Sequence, residues 1–140
     1  MEQLEKKYAD VTRAINALKR AVDKLRKSPP PADSEEYQTL RDSEIKRFEI
    51  CVDTLWKYLK LYLEVKKGVM QSSPKEVFRE CFRTQILSTE QDTAFALKMV
   101  DARNLTSHIY KEAVAEIIHA QIADYYELMI KLLKLTQPIG

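Results

Sequence analysis

Residues 4–25 read LEKKYADVTRAINALKRAVDKL, and the spacing of their apolar members decides the fold. Leu4, Tyr8, Val11, Ile15, Leu18, Val22 and Leu25 recur at alternating intervals of four and three. At 3.6 residues per turn this places them in one stripe along a helix of about seven turns. A single stripe cannot bury itself, so the helix demands partner helices. It should stop at SPPPAD, residues 28–33, where three consecutive prolines remove backbone donors and clash with helical geometry.

The same period returns downstream. Asp33 or Ser34 is placed to cap a short helical piece, and a strong pattern resumes after Asp42 and Ser43 with Ile45, Phe48, Val52, Leu55, Trp56, Leu59 and Leu63. This helix should end near Lys66, Lys67 and Gly68, where cations suit the negative end of the helix dipole and glycine permits a left-handed cap. SPKE, residues 73–76, joins a capping box to a proline at the first helical position and predicts a third helix running to about Leu87. STEQD, residues 88–92, opens a fourth with Phe95, Leu97, Met99 and Val100, and a last helix begins after Tyr110 with Val114, Ile118, Ile122, Tyr125, Met129 and Leu132 on one face. Long helices joined by short connections predict an all-α, up-and-down antiparallel bundle of four to five helices, forming one domain over residues 1–140.

Composition agrees and excludes much else. Only 2 Gly and 5 Pro among 140 residues favour helix over sheet, and 45% apolar residues supply a real core. The opening MEQLEKKYAD is charged, and no apolar run approaches the roughly 20 residues of a membrane span, so a soluble cytoplasmic protein is expected. Cys51 and Cys81 lie in apolar helical patterns without metal-ligand spacing, which predicts buried thiols rather than a disulfide or a metal site. A net charge of +2 is too small for a dedicated nucleic-acid binder; a local surplus of cations over residues 57–83 reads first as a solvated face. His119 has no acidic or cysteine partner at ligand spacing, and Trp56, Tyr58 and Tyr62 fit a core or dimer interface better than a base-stacking platform. With no Gly-rich phosphate loop, GxSxG or HExxH, the common kinases and hydrolases are poorly supported, and neither a metal nor a cofactor is expected.

The exception to this plain pattern is RNLTSHIY, residues 103–110. On a continuous helix Arg103 and His108 would stand about 140° apart and could not share a site. Asn104, Thr106 and Ser107 favour a break, with Arg103 closing the fourth helix and His108 and Tyr110 on the same side of an extended connection. That assembles a cation, an imidazole and a phenol beside a helix N-terminus. Histidine moves protons near neutral pH and arginine stabilises phosphoryl charge, so the group suits metal-free phosphodiester chemistry. Cleavage needs both an acid and a base, and two copies of the motif facing each other in a homodimer would supply them. On spacing alone, Arg103 and Asn104 serve equally well to tie down helix ends, with His108 a turn residue.

Together RDSEIKRFEICVDTLWKYLKLYL (41–63), SPKEVFRECFRTQIL (73–87) and RNLTSHIY resemble the nucleotidyltransferase substrate-binding protein family, a branch of the HEPN superfamily, over nearly the whole chain. The resemblance implies a homodimeric bundle encoded beside a separate minimal nucleotidyltransferase, in a pair similar to toxin–antitoxin modules. In related HEPN toxins the motif of Arg, a polar residue, three variable residues and His is a metal-independent RNase site at the dimer interface; here it falls on Arg103, Asn104 and His108. The tyrosine two residues beyond, Tyr110, corresponds to one that a partner nucleotidyltransferase modifies with AMP in some related pairs. The chain departs from many relatives at Phe95, where they carry tryptophan, and at Lys111, where they carry an acid. Three readings follow: a subunit that binds the nucleotidyltransferase and presents a substrate or nucleotide site, an endoribonuclease toxin, and a structural protein whose motif only holds helix ends.

Overall fold

The computed structural model describes residues 2–139. Five α-helices account for most of them: α1 (Glu2–Lys27), α2 (Glu35–Tyr62), α3 (Pro74–Arg83), α4 (Glu90–Leu105) and α5 (Glu112–Leu135). The bundle is all-α and up-and-down, as the periodicity predicts. Six of the seven stripe residues of α1, all but the half-buried Tyr8, are buried.

Helix α2 is the central element and packs against each of the other four. It begins earlier than the apolar pattern suggests. Ser34 caps it, accepting a hydrogen bond from the Tyr37 N–H at 3.1 Å, and the helix runs unbroken from Glu35 instead of starting afresh after Ser43. The reason lies in Arg41, a charged residue buried at 1% exposure, which ties this otherwise exposed, polar first third of the helix to α5. At its other end α2 widens into a π turn over Leu63–Lys67, closed by Gly68 at φ 68°. The left-handed conformation required there is one that glycine adopts without steric penalty.

Helix α3 stops at Arg83, short of the expected Leu87. Gln85 adopts φ 65°, and the Leu87 N–H bonds back to the Cys81 carbonyl at 2.9 Å, so the chain turns before Ile86 and Leu87 enter the core. Between α4 and α5 the core holds a run of aromatic rings: Phe95 lies 4.6 Å from Tyr125, which stacks on Phe48 at 5.5 Å. Phenylalanine at position 95 thus fills an aromatic niche. Both cysteines are buried and free, and burial pushes each thiol up to about 12. No helix among the described residues is long and apolar enough to cross a membrane.

Candidate functional site

The RNLTSHIY segment lies where α4 hands over to α5, and its backbone differs from expectation. Instead of an extended connection, α4 continues to Leu105, a 3-10 turn covers Thr106–His108, and Ile109 keeps helical dihedrals (φ −73°, ψ −6°). The turn is tight because the Thr106 hydroxyl folds back to the Arg103 carbonyl at 2.7 Å and the Lys111 N–H bonds the His108 carbonyl at 3.1 Å. Threonine and serine hydroxyls compete for backbone groups in this way, which ends the helix without straightening the chain.

Arg103 occupies the last turn of α4, and its guanidinium is gripped by α2. Nε donates to Asp53 Oδ1 at 2.6 Å and Nη2 to Asp53 Oδ2 at 2.9 Å, a two-point fork that fixes the plane of the group. The hydrogen bonds to Asp53 raise the Arg103 pKa beyond its already high ordinary value, so the site keeps a permanent cation. One helical turn before Asp53, Glu49 Oε1 accepts from the Thr106 hydroxyl at 2.8 Å. Burial pushes the Glu49 carboxyl up, but Thr106, Lys46 and the Arg103 charge outweigh it and hold the group below the usual carboxylate range. Glu49 and Asp53, four residues apart on one face of α2, anchor the segment from behind.

The remaining motif residues are outside this grip. Asn104 is exposed, with its carbonyl accepting from Ser107 Oγ at 3.4 Å. His108 is exposed and meets Tyr110 edge to face at 6.0 Å between ring centroids. Tyr110 is 74% exposed, and the Lys111 ammonium lies 5.9 Å from its ring centre. Among the described residues no hydrogen bond joins Arg103 to His108 within the chain. The structure therefore brings His108 and Tyr110 together, ties Arg103 to Asp53, and leaves Lys111 at the start of α5 without a side-chain cap. Exposed Leu105 and Ile117 add an apolar surface on the flanking ends of α4 and α5.

A second polar cluster, unforeseen in the sequence, fixes the start of α5. Arg41 donates to Glu112 through Nη1 (2.7 Å) and Nη2 (3.0 Å), to Glu116 at 3.0 Å, and to Asp42 at 3.1 Å and 3.2 Å. Tyr37 donates to Glu116 at 2.9 Å; burial, reinforced by that carboxylate, pushes the phenol up to about 12. Alongside, His119 Nδ1 approaches the buried Glu44 Oε1 at 2.6 Å, and this hydrogen bond raises the imidazole above its ordinary value. His119 is thus a half-buried partner of Glu44. The signal available in the sequence was Glu112 and Glu116, one turn apart at the start of a helix, which marks a face able to receive a cation.

The site is thus carried by an all-helical bundle whose longest helix supports an Arg-Asn-x-x-x-His turn from beneath. The chain belongs to the nucleotidyltransferase substrate binding protein like family, which it matches over residues 6–137. It is similar to a protein of Thermus thermophilus known from a crystal structure, with 33% identity, a TM-score of 0.80, and coverage of 91% of this chain and 98% of that one. At 17% identity the fold also matches a toxin–antitoxin structure with AMP-PNP (TM-score 0.71; 96% and 97% covered). A third match is a tri-AMPylated Shewanella oneidensis HEPN toxin in complex with MNT antitoxin (17% identity; TM-score 0.69; 94% of each chain). No curated protein matches the sequence.

Proposed function

We propose that this chain is the dimeric, cytoplasmic partner of a separately encoded minimal nucleotidyltransferase, to which it presents Tyr110 as the substrate or nucleotide-acceptor side chain of a toxin–antitoxin-type pair. The observation that carries the reading is the setting of Tyr110. It is the most exposed aromatic side chain, and it stands between an imidazole and an ammonium at the α4–α5 junction. A partner's active site can engulf such a phenol without unfolding anything. In the transfer, the phenol oxygen bonds the α-phosphorus of a nucleoside triphosphate, pyrophosphate leaves, and the phenol proton passes to a base of the partner. The family to which the chain belongs and the AMP-bearing complex of similar fold support this choice of chemistry. Co-expression with the neighbouring nucleotidyltransferase should yield a co-purifying complex, and incubation with ATP should add AMP to the native chain but not to Tyr110→Phe. Failure to co-purify, or equal modification of the variant, refutes the reading.

A second reading, a metal-independent endoribonuclease, is favoured by the Asp53 fork. An arginine immobilised in a defined plane is prepared to stabilise phosphoryl charge, with His108 as acid or base and the second copy's motif completing the pair. Leu105 and Ile117, 43% and 64% exposed beside the motif, provide apolar area for that association. Purified protein should then cut mixed RNA in EDTA, while folded Arg103→Ala and His108→Ala do not. Intact RNA after incubation with a folded dimer rules this reading out.

A further inference from the structure

The basic stretch of α2 does more than face water. Lys57 and Lys60 of α2, Lys7 of α1 and Glu64 of the π turn surround a cleft of about 310 Å³ whose wall includes the half-buried Trp56 and Leu61. A second cleft of about 150 Å³ adjoins it, sharing Lys7 and Lys57 and reaching to Asp53 and Thr54. Asp53, Lys57, Lys60 and Glu64 follow one another at helical spacing, so the two clefts form a trough about 16 Å long down one side of α2.

The lysines of this trough have no ion-pair partners among the described residues. Elsewhere in the basic stretch Lys75 pairs with Asp101, Arg79 with Glu76, and Arg83 with Glu80, while Lys66 and Lys67 stand exposed in the π turn. Among the described residues, by contrast, no carboxylate oxygen lies within 4 Å of the ammonium groups of Lys7, Lys57 or Lys60. Two of the trough's acids are already neutralised, Asp10 by Arg13 and Asp53 by Arg103, which leaves Glu64 against three cations.

We infer that this trough binds single-stranded RNA, with a base stacked on Trp56 and successive phosphates on Lys60, Lys57 and Lys7. Every base has a π-face and every linkage a charge, so aromatic platforms flanked by cations hold single strands without reading sequence. The Asp53 end of the trough is the carboxylate that grips Arg103, so a strand laid along α2 is led toward the RNLTSHIY junction. Binding here requires neither cutting by His108 nor modification of Tyr110.

The single tryptophan makes the site its own reporter. The full-length protein is titrated with a mixed-sequence single-stranded 2′-O-methyl oligoribonucleotide, which lacks the 2′ nucleophile and stays intact, while Trp56 emission is followed. We expect saturable quenching and a log–log salt dependence with a slope of about −2, from three phosphates at about 0.7 each. Lys57→Ala with Lys60→Ala should weaken binding at least tenfold and reduce the slope to about −0.7, with the helical circular dichroism unchanged. Trp56→Ala, followed by anisotropy of a labelled oligonucleotide, should weaken binding roughly tenfold. Absence of quenching, wild-type affinity in the double lysine variant, equal quenching by inorganic polyphosphate, or quenching by the nucleotidyltransferase but not by RNA each overturns the inference. Co-purification with the nucleotidyltransferase is scored separately, so loss of either claim leaves the other standing.

Discussion

Replacing Arg41 tests whether the α2–α5 clamp holds the candidate site in place. Its guanidinium is 1% exposed and carries hydrogen bonds to three carboxylates, those of Glu112, Glu116 and Asp42. Breaking a buried ion pair by removing one partner costs about 3–5 kcal/mol. Here the stranded carboxylates are 45–60% exposed, so water takes over much of their solvation and the cost falls to about 2–3 kcal/mol for Arg41→Ala. In a chain of this size about 1 kcal/mol moves the melting temperature by about 3–4 °C, which predicts a drop of about 6–12 °C. Arg41→Lys keeps the charge but loses the planar fork, and should recover only part of the loss. The pH dependence adds a signature. Arg41 holds the Glu112 carboxyl below its ordinary 4.5, so this contribution is complete above that value and disappears as pH falls through the folded value. The native chain should therefore lose stability below pH 4.5 more steeply than Arg41→Ala. Thermal and urea denaturation between pH 3 and 8, with hydrogen exchange of residues 108–116, decide the matter. A loss under about 1 kcal/mol, or an Arg41→Lys protein as stable as the native one, would refute the reasoning.

Two further outcomes follow from the same structure. The Glu44 hydrogen bond raises the His119 pKa, so its contribution is complete below the imidazole's ordinary 6.5 and is lost as pH rises through the folded value; the urea midpoint should be higher at pH 6 than at pH 9, and Glu44→Gln should flatten that difference. Gln85 sits in the left-handed region at φ 65°, so Gln85→Gly should relieve strain and leave stability unchanged or raised by up to about 1 kcal/mol, whereas a clear drop in melting temperature would show that the Gln85 side chain stabilises the turn.

The parts legible in the sequence are those governed by local periodicity. The α1 stripe, the break at the prolines, the SPKE and STEQD starts and the glycine stop at residue 68 each rest on chemistry within a few residues and are found in the structure, except that Ser73 makes no side-chain cap, so the SPKE start rests on its proline and not on a capping box. The start of α2 was less legible because Arg41 reads as a surface residue until Glu112 and Glu116, more than seventy positions away, fold against it. The RNLTSHIY junction was half legible. Its side chains announced the end of a helix, but a hydroxyl that bonds backward supports a 3-10 turn as readily as an extended segment, and only Glu49 on another helix settles where Thr106 lies. Asp53 falls in the same class. Its partner stands fifty residues ahead and no short-range rule connects them.

The position of α5 has a consequence for the birth of the molecule. This helix packs on α1, α2 and α4, supplies Leu128, Met129, Leu132 and Leu133 to the interior, and is followed at once by Thr136, whose carbonyl receives the Tyr58 hydroxyl. Until α5 has emerged from the ribosome, the sides of α1, α2 and α4 that it covers lie open, Arg41 has only Asp42 as a counter-charge, and Glu44 lacks His119. The α1–α2 hairpin precedes α5 in the chain, so its open apolar side and the RNLTSHIY junction are covered only once α5 packs against them.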